Sequence, residues 1–298
     1  MIQWLNYMTF NPFEERGTRG REQMNAVERA LLERAHKEAA LILNSTKIKP
    51  EDFKGLYDAD RIARDVAYVK EKQLQFEADT DEGRREAKRL AVIFEGIFHK
   101  GASEFGWLGE GARVIKTSDV DDIRHGVDGI IEFDREDTGM DHLAIGVDVT
   151  YSGQLADKFR KIRADIENGT LPTIEYFRSG NYRGELENVP RVVVGAEQPH
   201  IIQLCKDIFL DPKPEQLSRH PFQMLQLRQM RLQLEAFADY AAKLKRGPIE
   251  QVYRRDAEIV RKILQQKSVA GGIRLGDWEN DRVFAAIQRE LETLKGAK

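Results

Sequence analysis

Between Ala112 and Gly195 the apolar residues leave the three-and-four rhythm of helices and begin to alternate, and this change restricts the fold more than any other feature of the chain. Five short β-rich runs, "ARVIKTS", "GIIEF", "HLAIGVDVT", "TIEYF" and "RVVVGA", follow one another there. One helix, "GQLADKFRKIRADIENG", interrupts them after the third run. Its Leu155, Phe159, Ile162 and Ile166 form a single apolar stripe, and Asn168-Gly169 marks its exit. On both sides the pattern is helical: "EQMNAVERALLERAHKEAALIL", "DADRIARDVAYVKEKQLQF" and "EGRREAKRLAVIFEGIFHKG" come before, and three more helical segments follow the breaker-rich "DPKPEQLSRHP". The expectation is an α/β protein: a helical N-terminal extension over 1–81, an α/β core over 82–211 and a helical C-terminal region over 212–298. In the last of these, Leu227, Met230, Leu234, Phe237, Ala241 and Leu244 make a coiled-coil-like seam. That seam serves either packing within the chain or a homodimer through the Leu227–Leu244 helix.

Composition narrows the functional classes. A hydrophobic share of 41% in 298 residues supports an ordinary core. No run of about 18 apolar residues offers a membrane span, and the opening "MIQWLNYMTFNPFEERG" lacks the pattern of a signal peptide, so a cytoplasmic protein is expected. Cys205 is the single cysteine, which excludes an internal disulfide and a cysteine-based zinc cluster, and "IIQLCKDIF" reads as a buried apolar segment. The formal net charge of −3 gives no global basic field, although 17 Lys and Arg against 11 Asp and Glu follow Pro212. There is no phosphate-binding Gly-rich loop ending in Lys-Ser/Thr, and no HExxH.

The chemistry concentrates in "GVDGIIEFDREDTGMDHLAIGVDVTYS", where Gly-Val-Asp occurs twice. Strand alternation puts Leu143, Ile145, Val147 and Val149 on one apolar face and Ala144, Gly146, Asp148 and Thr150 on the other. Asp128 starts the preceding strand. A hairpin through "DREDTGMD" runs the two strands in opposite directions, so Asp128 and Asp148 become neighbours. Adjacent carboxylates stay ionised at low cost only with a cation or donors between them, and an oxygen-only set favours Mg²⁺ or Mn²⁺. Asp119, Asp121, Asp122 and His125, just upstream, are expected to cap the turn between strands, with Asp122 and His125 as candidates for supporting the site.

A glutamate-bearing helix, a three-stranded meander with an acid at the start of its second strand and another at the end of its third, then a helix and a further strand: over about Glu82 to Leu210 this resembles the PD-(D/E)xK nuclease superfamily. The resemblance implies a restriction-endonuclease-like core, a mixed sheet flanked by helices, and a Mg²⁺- or Mn²⁺-dependent hydrolase of phosphodiesters acting on nucleic acid, with DNA favoured over RNA. Asp128 matches the first acid, after Val127 in place of proline, and Asp148 the second. The resemblance further implies a ligand role for the carbonyl of Val149 and a helical glutamate, for which Glu95 fits best and Glu86 and Glu104 compete. Thr150 stands where the family has lysine, and a hydroxyl does not replace that charge. Lys158, nearer than Lys161 to the apolar stripe of the following helix, is the substitute the pattern offers. The same departure supports an alternative: a nuclease fold without catalysis that binds nucleic acid or a protein.

Overall fold

The computed structural model describes residues 25–78, 81–134, 139–148, 153–180, 182–271, 273 and 275–296. Three helices open the described chain: α1 (Ala26–Thr46), α2 (Ala59–Glu77) and α3 (Glu82–Phe105). Each starts on a side-chain cap. Asn25 accepts from the Glu28 N–H in a capping box, Asp58 from Asp60 and Asp81 from Arg84. The first and third helices cross closely where Ala39 meets Gly96; a Cβ on Gly96 would lie 2.5 Å from that of Ala39. Gly101 is equally constrained, since a Cβ there would fall 2.1 Å from the ring of the fully buried Trp107.

The sheet follows. Strands β1 (Ala112–Lys116), β2 (Gly129–Asp134) and β3 (Met140–Asp148) form an antiparallel meander, and β6 (Arg191–Gly195) pairs parallel to β3, giving the order β1-β2-β3-β6. Between β1 and β2 the chain forms a short helix, α4 (Asp119–His125), capped by Ser118 and closed by Gly126 at φ 64°. The sequence reading treats this segment as a turn; three acids in its first turn and Arg124-His125 in its last are charges that suit a helix dipole. Helix α5 (Gly153–Asn168) makes the crossover from β3, and β4 (Ile174–Ser179) with β5 (Tyr182–Leu186) forms a separate two-stranded hairpin before β6. The Leu155, Phe159, Ile162 and Ile166 stripe of α5 is buried as its spacing requires.

After α6 (Gln198–Cys205) and α7 (Pro214–Leu217), the long helices α8 (Phe222–Lys243), α9 (Gly247–Gly271) and α10 (Arg282–Gly296) complete the chain. One apolar core runs from Leu31 of α1 through the sheet to Leu294 of α10, so the boundaries at 81 and 211 mark changes of secondary structure within a shared core. Leu227, Met230, Leu234, Phe237 and Ala241 are all fully buried inside this chain, which places the coiled-coil-like seam within the molecule; Leu244 alone of the six is partly exposed.

Helix α8 also covers the edge of the sheet. Among the described residues no further strand pairs with the outer edge of β6, and its polar backbone needs partners. Gln233 accepts from Val193 N–H at 2.9 Å and donates to Val193 O at 2.7 Å, and Gln229 does the same for Gly195 at 3.0 and 2.9 Å. Two amides one helical turn apart thus meet alternate residues of the strand, as a neighbouring strand would.

Candidate functional site

At one end of the sheet the last residue of β1, the start of β2 and the end of β3 converge. Lys116 closes β1 opposite Gly129. Asp128 precedes that glycine, donates its N–H to Ile145 O at 2.9 Å and receives the Thr117 N–H on its carbonyl at 3.4 Å. An Asp128 carboxylate oxygen lies 3.9 Å from where a Cβ on Gly146 would be. The strand β3 continues from Gly146 to Asp148, whose backbone pairs with Gly195. The hairpin therefore sets Asp128 beside a residue two positions before Asp148. The Asp148 side chain, together with Val149 and Thr150, lies outside the described residues.

On the α3 side of this junction, Glu95 is buried and meets the equally buried Lys116, Nζ to Oε1 at 2.9 Å. The same ammonium donates to Asp122 Oδ2 at 3.2 Å. Burial pushes the Glu95 carboxyl up to about 8, with Lys116 opposing and Asp128 adding to the rise. Partial burial and the Asp128 charge likewise move Asp122 upward. Burial alone would lower Lys116, but Asp122, Glu95 and Asp128 outweigh it and hold the lysine above its usual range. His99, one turn further along α3, is buried with Nε2 lacking a hydrogen-bond partner; burial, then Lys116, lowers it to about 3, so it is neutral at physiological pH.

Of the three competing glutamates, the fold thus brings Glu95 to the strand end. Glu86 accepts from Gln198 at 3.4 Å elsewhere, and Glu104 pairs with Lys100 on the surface. Lys158 is half-buried on α5, and burial, then Arg191 and Lys158, lowers Lys161. The other upstream candidates have structural duties. Asp119 binds Lys47 at 2.9 Å, and the buried Asp121 accepts from Ser118 Oγ and from the N–H groups of Glu175 and Tyr176. His125 faces Glu175 at 3.3 Å. Lys116 is the residue that the sequence reading misses. Its signal was strand parity, since Ala112, Val114 and Lys116 share the face that packs on Phe133 and Ile131.

Chemically, Glu95 and Asp122 pair with one ammonium, Asp128 acts on it electrostatically, and Asp148 closes the adjacent strand. The donors are all oxygen, and Glu95 Oε1 lacks a well-directed hydrogen bond despite its burial. Oxygen donors favour a hard divalent cation over zinc, but Glu95, Asp122 and Asp128 do not bring three ligand atoms within 4.8 Å of one another, and an ammonium already lies against two of them. Among the described residues only Glu197, His200 and Asp281 bring three ligand atoms within 4.8 Å of one another. That group is already committed: Asp281 caps α10 through Phe284 N–H, receives Glu197 N–H, and lies 2.7 Å from His200 Nδ1. Comparison of the chain with protein-family models, with curated proteins and with solved structures finds no match to any of them.

Proposed function

We propose that the chain is a divalent-metal-dependent nuclease built on a restriction-endonuclease-like core. The observation that carries this reading is the excess of carboxylate over ammonium at the point where β1 and β3 end and β2 begins. It is supported by the element order, in which a glutamate-bearing helix, an antiparallel meander, a crossover helix and a parallel fourth strand follow one another. In this reading Asp128 and Asp148 hold Mg²⁺ or Mn²⁺ with the Val149 carbonyl, and Glu95 buffers or completes the set. When bound, the cation supplies an activated water and charge stabilisation at the phosphate. The chain's own residues bind it and fix its place relative to the sheet, and the Lys116 ammonium partly offsets the burial that favours protonated Glu95 and Asp122. DNA is the favoured substrate.

Calorimetric titration of Mn²⁺, run beside a cleavage screen on single- and double-stranded DNA and RNA, tests the reading. Wild type is expected to bind Mn²⁺ and cut at least one substrate, and Asp128→Asn and Asp148→Asn to lose both while keeping the fold. Nucleic-acid binding with neither metal affinity nor cleavage would favour a non-catalytic module, the alternative to which Thr150 points.

A further inference from the structure

We propose that Lys116 of β1 supplies the positive charge that Thr150 does not, and that Glu95 and Asp122 are the counter-ions that hold it. The inference rests on the nuclease reading and names the residue that completes that same site.

A fully solvated ammonium loses several kcal/mol on burial, and it stays charged in a protein interior only where the surroundings repay that loss. Among the described residues Lys116 is the one lysine in the buried class, with 5% exposure. Two carboxylates reach it directly, at 2.9 and 3.2 Å. A third, Asp128, acts on it without being its closest partner. Two acids suffice to neutralise one ammonium, so a purely structural ion pair needs no third carboxylate. The third belongs to the pair proposed to hold the metal.

Position gives the second step. Lys116 faces Gly129 across the β1–β2 pair, and the next residue, Thr117, is tied by backbone to Asp128. The lysine head reaches Glu95 on α3 and Asp122 on α4. Three separate elements thus fix the ammonium beside the start of β2. A charge fixed in that way needs no reorganisation when negative charge develops on a phosphate nearby, which is the condition for electrostatic stabilisation to be worth much. It acts through space and through its grip on Glu95 and Asp122, as a positioning residue.

The test replaces the charge, restores it and moves it. Lys116→Met is expected to lower the Mg²⁺-dependent cleavage rate by about 10²-fold or more, while Mn²⁺ affinity measured by titration changes by less than about tenfold. Lys116→Arg should recover part of the rate. Lys116→Met combined with Thr150→Lys, which returns a lysine to the position where the resembled family carries it, should also recover cleavage, an outcome that a structural role does not produce. Glu95→Gln with Lys116→Met removes the ammonium and its nearest carboxyl together, and it serves if the single variant fails to fold; it too should bind Mn²⁺ and cleave poorly. Cleavage at the wild-type rate by Lys116→Met or by the neutralised pair overturns the inference, as does loss of cleavage in Lys158→Met with Lys116→Met unaffected. A wild-type chain that neither binds Mn²⁺ nor cuts any nucleic acid overturns the nuclease reading itself, and this inference with it.

Discussion

Asp256 shows what one residue costs when its charge has no adequate partner. It is completely buried on α9, neither carboxylate oxygen has a hydrogen-bond partner, and Arg255 stands 3.5 Å away while engaging Asp141 more closely at 2.7 Å. Burial raises its carboxyl to about 8, against a partial opposition from Arg255. Below about pH 4 the group is protonated in folded and unfolded chains alike. As pH rises towards 8 the unfolded chain ionises first, so stability falls across that window and is lowest above it. Asp256→Asn should therefore gain on wild type as pH rises, by on the order of a few kcal/mol, which thermal melts at pH 5 and pH 8 will measure; a constant gap would refute the assignment. Residues of this kind are poorly legible in sequence. Asp128 is legible because it sits beside a glycine at the head of an apolar run. Glu95 and Asp256 lie on helices among many acids, and only their tertiary surroundings distinguish them. Lys116 was legible in principle through parity, but a lysine ending a strand reads as a solvent-facing residue until its face is known.

Elements with strong periodicity were legible, and those defined by their partners were not. The spacing of α5 predicts its buried face, and the alternation of β3 predicts which face enters the core. The hairpin argument pairs β2 with β3 antiparallel, as the register shows, while its pairing of Asp128 with Asp148 turns on a side chain outside the described residues. Helix α4 escaped because its acids suggest turn caps, and β5 because "YRGEL" has no apolar alternation to mark it as a strand. The glutamines of α8 escaped too. In "QMLQLRQMRLQLEAF" they fall outside the apolar seam, yet Gln229 and Gln233 are buried against β6. That arrangement makes a prediction about the element. Gln233→Met keeps the volume but leaves Val193 N–H and C=O without partners, at a cost of about 2 to 4 kcal/mol in chemical denaturation. A loss below about 0.5 kcal/mol, the level of an ordinary surface change, would show that the amide does not cap the edge.

At the scale of the molecule, stability is unevenly distributed. The main core joins α1, α3, the sheet and α8 to α10, while α2 rests on a small separate cluster of Ile48, Phe53, Ile62, Val69, Val120 and Tyr176. Polar contacts hold α2 in place: Arg61 to Glu175 at 3.1 Å and Glu185 at 2.8 Å, Asp65 to Arg124 at 2.5 Å, and Tyr176 OH to Asp65 at 2.7 Å. Helices attached mainly through ion pairs open at lower free energy than those buried in a core, so α2 should exchange its amide hydrogens before α8 does. The attachment also depends on pH. The His125 hydrogen bond, followed by those from Arg124 and Arg61, holds Glu175 down at about 2 in spite of partial burial. A carboxylate depressed in the folded state contributes fully above its unfolded value, near 4.5, and the contribution is lost as pH falls towards 2. Protection factors for α2, corrected for intrinsic exchange, should therefore drop between pH 6 and pH 3 while those of α8 hold. Glu175→Gln should show the lowered protection already at pH 6, and added salt should weaken α2 in the wild type by screening the half-exposed arginines. Equal protection of α2 and α8 at pH 3 would mean that the small apolar cluster, and not the Glu175 network, fixes this helix to the sheet.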